Sequence, residues 1–462
     1  MGCYLNNKIF TKSDEVFAWL SRFINLERGQ KPKSFRLDRM ETLCELAGNP
    51  EKYAPSIHVA GSKGKGSVTS MLTAMLTAAG YRAARYMSPH VIDIRERICL
   101  GDIYFNEEIY VSSGNELLQI IEERLPALKN SQVSAAALFD PLTDDGCEPT
   151  FWELLTLLFF LCARNARSDV IVAETGMGGR LDSTNVLDPL VSVITLIELE
   201  HTSILGGTIE AIAGEKAGII KQGKPLVLAK QRDEALEVFK QKAQEKNAPL
   251  IYFPDIAKLS DINVTDQGTE FSLFYTSSHF SLLTSRFSLP LPGKVQAENA
   301  ALAIAAVKTA FPQIDDDAIR GGLANLKIPG RFEKIADEPP FIIDGAHTPE
   351  SLALCIETFL SLYGEGGVLL FGCAADKDAA AMAGAAHSHF AKIIITTPGA
   401  FKASNPEQVY NTFAKIAGEE KTLLVKDTRE AVRLAKKEMI PILGTGSFYL
   451  VSEIRKIIVN NY

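Results

Sequence analysis

The stretch Val59 to Ser70, VAGSKGKGSVTS, sets two lysines among three glycines, a composition suited to holding a polyphosphate. Glycines let backbone N–H groups come close to phosphate oxygens, and Lys65 can reach the β and γ oxygens as a point charge. The common phosphate loop reads G-x-x-x-x-G-K-[ST], with a metal-binding hydroxyl directly after the lysine. Here Gly66 stands between Lys65 and Ser67. The residues alone leave three readings: a damaged nucleotide site, a turn that needs glycines and binds nothing, or a working variant.

Such a run binds phosphate only where it leaves a strand and opens a helix. The helix N-terminus then aims free N–H groups and the positive end of its dipole at the anion. SIHVAG supplies the strand and SVTSMLTAMLTAAG the helix, so Ser62, Lys63, Gly64, Lys65, Gly66 and Ser67 are read as ATP-contacting residues. Along the rest of the chain short β-rich runs alternate with helical stretches, the pattern of a mostly parallel sheet flanked by helices. Strands are expected at 56–61, 82–87, 169–175, 191–197 and 225–230, and helices at 66–79, 106–124, 150–166, 209–221 and 234–245. Residues 263–291 alternate apolar and polar around turn signals, which predicts an antiparallel hairpin appended to the main sheet.

A helix begins at Gln296, and after KIPG (327–330) the alternation restarts through PFIID, GVLLFG, KIIITT, KTLLVK and MIPILG. The fold class is therefore α/β in two domains. An N-terminal P-loop-type ATPase domain spans 1–328, and a smaller C-terminal Rossmann-like α/β domain spans 329–462.

At 462 residues the chain can bury more than one apolar core. Its seven cysteines show neither a C-x-x-C pair nor metal-finger spacing, which fits a reducing, cytoplasmic compartment. A net charge of -8 and a pI near 5.6 exclude a general attraction to nucleic acid or anionic membrane. The first residues, MGCYLNNKIF, lack the apolar core of a secretory signal. The longest apolar run, Phe151 to Ala163, contains Glu153 and falls short of the roughly 18 residues a membrane span needs, so it is read as a buried helix.

GSKGKGS resembles the G-T-N-G-K-G-[ST] loop of the Mur-ligase superfamily, in particular its folylpolyglutamate synthase / dihydrofolate synthase branch, where the extra glycine is normal. Ser62-Lys63 stands where that branch usually has Thr-Asn, and it adds a positive charge. The resemblance continues in SFRLDRM (34–40), with Arg36 in place of glycine, and in MSPHVIDIRERI (87–98), AETGMGGRLDSTNV (173–186) and GEKAGIIKQGKP (214–225). PGRFE, IIDGAHTPES, FGCAADKD and GTGSFYLVSEIR follow in order, so it covers nearly the whole chain.

The resemblance implies an ATP-dependent ligase that adds L-glutamate to a folate, to dihydropteroate or to both. A carboxylate is a poor electrophile, so such ligases phosphorylate it and let an amine displace the phosphate. The charge on the transferring phosphoryl and on the developing oxyanion then needs cations. Lys65, Glu174, His201 and Lys216 are the implied catalytic set. Ser88 and Glu174 would hold one Mg2+, and His201 with a carbamylated Lys216 a second, with a monovalent cation as a further candidate. Gly66 moves Ser67 one step along the helix start, so Ser67 is not expected to be the metal's hydroxyl ligand. Glu200 stands before His201 where the branch usually has Asp.

Each of these residues also has an ordinary reading: Glu174 as a solvated strand-end carboxylate, Ser88 as a turn serine before proline, His201 as a loop histidine, and Lys216 as a snorkelling lysine. Asn299, with Gln296 one turn earlier, resembles an ATP contact. Arg331 and Asp344 are implied for phosphate and ribose from the second domain, with His347 beside them and Thr348 replacing the usual Asn. ATP would then lie between the domains, which close about 327–330.

For the pterin, Phe151 and Trp152 could stack on a flat ring or could equally be core aromatics. Ser34, Phe35, Arg36, Leu181, Asp182 and Ser183 are further candidates. The expected partners are small molecules alone (pterin or folate, L-glutamate and ATP), with no nucleic acid and no membrane, on a monomer. Two alternatives stand beside this reading: a ligase of the same superfamily for another acid, and a regulator that binds ATP without ligase chemistry.

Overall fold

The computed structural model describes residues 9–25, 35–125, 149–276, 284–399 and 403–459, and the apolar runs of the sequence pair there into three sheets. The first holds β1 (Ser56–Ala60), β2 (Ala83–Tyr86), β3 (Ile98–Leu100), β4 (Ile103–Tyr104), β5 (Val170–Glu174), β6 (Val191–Ile194), β7 (Leu226–Leu228) and β8 (Leu250–Tyr252). Their order is β4-β3-β2-β5-β1-β6-β7-β8. The strands from β2 to β8 in that order run parallel, and β3 and β4 add an antiparallel edge. β1 is central and buried along its whole length, as a strand covered by helices on both faces must be. The loops that leave β1, β2, β5 and β6 therefore emerge side by side at the carboxyl edge, where open α/β sheets bind ligands.

The helix Lys65–Ala78 follows β1 and packs with Lys294–Ala310 and Asp316–Ala324 in one apolar cluster that includes Met71, Met75, Ala301 and Leu323. On the other face Phe151–Asn165 is almost wholly buried. Its N-terminus is closed by a reciprocal cap between Thr150 and Glu153, and Arg39 Nε donates to Glu153 Oε1 at 3.0 Å. The expected helix 209–221 ends at Lys216 and tightens into a 3-10 turn, Ala217–Ile219. Gly218 there lies against the backbone of Arg180, where a Cβ would come within 2.4 Å of the Arg180 Cα.

The hairpin expected over 263–291 needs correction. β9 (Ala257–Thr265), β10 (Gly268–Tyr275) and β11 (Thr284–Leu289) form a separate antiparallel sheet, not an extension of the main one. Phe271, Leu273, Phe287 and Leu289 point into the cluster around Lys294–Ala310, so the small sheet covers that helix instead of extending an edge.

The third sheet contains β12 (Glu333–Asp337), β13 (Pro340–Ile343), β14 (Gly367–Phe371), β15 (Phe390–Ile395), β16 (Thr422–Leu424) and β17 (Ile442–Thr445), in the order β12-β13-β17-β14-β15-β16. Only β12 is antiparallel, and its mixed sequence EKIAD hid it from the alternation. Val91, on the loop after β2, packs with Val451 and Ile454 of this second unit. Among the described residues no helix is long and apolar enough to cross a membrane.

Candidate active site

The glycine run leaves β1 under tight constraint. Gly61 has φ 148°, and a Cβ there would lie 1.8 Å from Thr195 Oγ1, so only glycine lets the chain pass β6. The backbone N–H groups of Ser62 and Lys63 donate to Leu196 O at 2.9 and 3.1 Å, and Ser62 Oγ donates to Glu198 O at 3.0 Å. Gly64 turns left-handed at φ 85°, with a Cβ there falling 2.4 Å from Asn299 Oδ1. The carboxamide of Asn299 thus lies on the loop, held by its own bond to Gln296 Oε1 at 3.2 Å. Among the described residues no side chain caps the helix that begins at Lys65, which leaves its first N–H groups for an anion.

Gly66 marks where the two α/β units converge. A methyl there would be 3.5 Å from Glu174 Oε2 and 3.8 Å from Arg331 Nη2. Glu174, at the end of β5, is 3% exposed, and the Ser88 N–H donates to its Oε2 at 3.3 Å. Burial pushes its carboxyl up to about 7, against the pull of Lys65 and Arg331. A buried carboxylate with so little internal compensation fits a bound cation. Among the described residues no three His, Cys, Asp or Glu side chains converge on one point. Magnesium suits such a sparse set, because it takes one or two carboxylates and completes its shell with water and phosphate.

A second charged group lies beside the loop. Lys65 Nζ donates to Gly61 O at 2.7 Å, and Lys216 Nζ donates to the same carbonyl at 2.7 Å. Lys216 is 1% exposed and donates to Glu200 Oε1 at 2.7 Å, while Lys65 Nζ stands 4.0 Å from that oxygen. Burial, with repulsion from Lys65, brings the Lys216 ammonium down to about 8. Burial works against the Glu200 carboxylate, but Lys65 and Lys216 outweigh it and hold that group at about 2. Glu200 was legible only as a departure from the usual Asp, and its place between two lysines comes from the fold. His201, next to it, heads the short helix Thr202–Leu205 in a left-handed conformation (φ 48°) with an exposed side chain.

From the second unit, the Arg331 guanidinium lies 4.5 Å over the ring of Phe448, which aims it at the loop. Asp344 accepts from Phe332 N at 2.9 Å and from Ala346 N at 2.7 Å, so it first fixes the segment that carries Arg331. Each oxygen keeps a lone pair for a ribose hydroxyl. His347 Nδ1 lies 2.8 Å from Gly345 O, and burial together with Lys377 and Lys63 pulls the ring down to about 3. It is therefore neutral, with Nε2 as acceptor. Thr348, a departure from the resembled loop, caps the helix Pro349–Tyr363.

The pterin candidates divide. Phe151 is 2% exposed and sits in the core of its helix bundle. Asp182 accepts from Met177 N, Thr184 N and Thr184 Oγ1, and Ser183 Oγ bonds Thr156 Oγ1 at 2.8 Å, so both hold the loop after β5 together. Trp152, Arg36 and Leu181 are half-buried and Phe35 is exposed, with Arg36 paired to Asp38 at 2.7 Å. Ser34 lies outside the described residues.

Residues 143–307 match the Mur ligase middle domain, and residues 330–447 match the Mur ligase, glutamate ligase domain. The chain is 33% identical over 459 residues to the dihydrofolate synthase/folylpolyglutamate synthase of Bacillus subtilis strain 168, covering 97% of this chain and 99% of that protein. It is 32% identical over 426 residues to the folylpolyglutamate synthase of Lacticaseibacillus casei, covering 90% and 93%. Among solved structures, Mycobacterium tuberculosis folylpolyglutamate synthase complexed with ADP and AMPPCP superimposes with a TM-score of 0.82 at 28% identity, over 96% of this chain and 97% of that one. An FPGS–AMPPCP–folate complex matches with a TM-score of 0.80 at 28% identity, over 96% and 99%.

Proposed function

The chain belongs to the folylpolyglutamate synthase / dihydrofolate synthase family of the Mur ligases, and from that premise we propose that it joins L-glutamate to a folate, to dihydropteroate or to both, driven by ATP. The observation that carries this reading is the convergence at Gly66, where an uncapped helix N-terminus, the Glu174 carboxylate of one unit and the Arg331 guanidinium of the other meet. A polyphosphate has partners there for its charge on both sides.

In this reading the loop from Ser62 to Ser67 holds the β and γ phosphates, Asn299 lies along it, and Asp344 takes the ribose. Lys65 and Arg331 balance the charge of the phosphoryl as it passes to the substrate carboxylate, which gives an acyl phosphate and ADP. The glutamate amine then attacks the acyl carbon, phosphate leaves, and the amine's proton goes to a base or to water. Glu174 and Ser88 would hold one magnesium ion, and His201 with Lys216 a second. Magnesium supplies charge neutralisation at the phosphoryl oxygens. A lysine ammonium near pKa 8 is neutral often enough to capture carbon dioxide, which supports carbamylation of Lys216. Five buried free cysteines among the described residues are in keeping with a cytoplasmic enzyme, and the reading takes it to be a monomer.

The test is ADP and amide formation from ATP and glutamate with dihydropteroate, and separately with tetrahydrofolate. Amide with at least one acceptor is expected, and none with either would overturn the proposal.

A further inference from the structure

The segments PGRFE and GTGSFYLVSEIR stand far apart in the sequence and meet around Arg331. Among the described residues Arg331 forms no hydrogen bond or ion pair, and its guanidinium lies 4.5 Å over the ring of Phe448. Its direction therefore depends on how firmly its own backbone and that ring are fixed.

The backbone is held on both sides of it. Glu333 Oε2 accepts from Gly330 N at 2.8 Å, Gly345 N donates to Gly330 O at 2.9 Å, and Asp344 Oδ2 accepts from Phe332 N at 2.9 Å. Gly330 and Phe332 both take left-handed conformations, at φ 69° and φ 43°. For a residue as bulky as Phe332 that conformation persists only where the surroundings over-determine it. Glu333 supplies one restraint from within the turn, and Arg455 Nε fixes its carboxylate by donating to Oε1 at 2.9 Å. With side chains 23% and 20% exposed, Glu333 and Arg455 are partly shielded from screening by salt.

One face of a single helix meets the whole turn. On Phe448–Val459 the residues Phe448, Val451 and Arg455 fall at i, i+3 and i+7, which lines them along one side. Phe448 takes the Arg331 guanidinium, and Arg455 takes Glu333. Between them Val451 closes on Gly330, where a Cβ would lie 2.9 Å from Val451 Cγ1. Phe448 is itself pressed on Gly345, where a Cβ would meet its ring at 2.3 Å. Gly330 also faces Val91 of the first unit, on the loop that carries Ser88, at 3.4 Å from such a Cβ.

We propose that Glu333 and Arg455 are positioning residues for Arg331. The carboxylate fastens the turn at Gly330, Arg455 fastens the carboxylate to the helix that carries Phe448, and the guanidinium is thereby aimed at the phosphates before nucleotide arrives. This role rests on the proposed contact of Arg331 with ATP.

Calorimetric affinities for AMPPCP on the wild type, R331A, E333Q, R455A and the double variants R331A/E333Q and E333Q/R455A test it, with a melting curve for each protein. R331A should weaken AMPPCP about thirtyfold, and E333Q and R455A about tenfold each. Each double variant should lose no more than the larger of its single changes, because all three residues serve one contact. Losses that multiply in R331A/E333Q would overturn the role, as would an E333Q or R455A affinity within about twofold of wild type at lowered melting, the mark of a merely structural pair. Should E333Q not fold, R455A takes its place in the cycle with R331A, and losses that multiply there overturn the role. AMPPCP binding is read without an acceptor, so failure of this coupling leaves the folate reading standing. A wild type that makes no amide yet shows the coupling leaves the positioning role standing, and one that does not bind AMPPCP would overturn both.

Discussion

The exit of β1 and the start of the helix Phe151–Asn165 both carry residues whose types suggest ligand binding, yet the fold treats them in opposite ways. At β1 the loop is forced through conformations only glycine adopts, the next helix starts without a side-chain cap, and Glu174 and Lys216 are buried with shifted pKa values. At Phe151 the helix is capped by Thr150 and Glu153, Glu153 is neutralised by Arg39, and the ring fills core. The lesson is that a binding site is recognised by what local structure leaves unmatched. Aromatic and polar residues whose demands are met internally are doing structural work.

Lys65→Ala tests the first region most severely. Turnover should fall about a thousandfold or more, or about 4 kcal/mol of transition-state stabilisation, with melting unchanged. Rates of ADP release beside a melting curve check both halves, and activity near wild type would mean the loop does not hold the transferring phosphoryl. Phe151→Ala should do the reverse. It should lower unfolding free energy by about 3 kcal/mol through the cavity it leaves. Activity per folded molecule, scaled by denaturant titration, should stay within about threefold of wild type. A raised acceptor KM at unchanged stability would move Phe151 into the pocket and break the contrast.

A third test uses His58, on β1 and fully buried. Thr184 Oγ1 donates to Asp182 Oδ1 at 2.5 Å, so it accepts from His58 Nε2–H at 2.8 Å, while the buried His58 Nδ1 has no partner among the described residues. A proton on Nδ1 would place a charge in the core with no acceptor, and burial with nearby Lys221 pulls the ring down to about 3. The sign follows from the depressed pKa. The unfolded chain takes up the proton below its ordinary value of 6.5 and the folded chain does not, so stability is complete above about 6.5 and falls as pH drops toward 3. At pH 5 the contribution is about 2 kcal/mol. Urea titrations at pH 7 and pH 5 should show His58→Gln losing less stability than wild type over that interval, and equal losses would discard the assignment.

Much of the fold was legible because period and punctuation report burial directly. The central strands of the first sheet and most helices follow from alternating apolar runs. β12 was not legible, because EKIAD is an edge strand whose mixed residues are half-buried. Nor could periodicity say which surface the 263–291 strands would cover, since that depends on the helix Lys294–Ala310 packed beneath them. For the candidate site, motif resemblance named Lys65, Glu174 and Arg331, which the fold brings close to one another, but pairwise geometry did not follow from it. Glu200 as the partner of two lysines, and Asp344 as the brace of the Arg331 segment, depend on distances between segments more than ten residues apart.

Trp152 gives the smallest and finest test, because it sits at the border between the two kinds of region. The Arg97 guanidinium lies 5.1 Å over the indole, and Arg97, 1% exposed, donates from Nε to His90 Nδ1 at 2.8 Å. One face of the ring is thus taken by a cation fixed in place, while the residue as a whole stays half-buried beside fully buried Phe151. A flat heterocycle stacking on the other face would contribute about 1 kcal/mol beyond area burial. Trp152→Leu keeps apolar volume but removes the π face, so the acceptor KM should rise roughly fivefold to tenfold while AMPPCP affinity holds. Steady-state kinetics with the acceptor varied, beside calorimetry with AMPPCP, separate the two effects. Lowered melting with an unmoved acceptor KM would place Trp152 with Phe151 as packing. The acceptor ring would then have to be held from the loop after β5 or from Phe35 and Arg36.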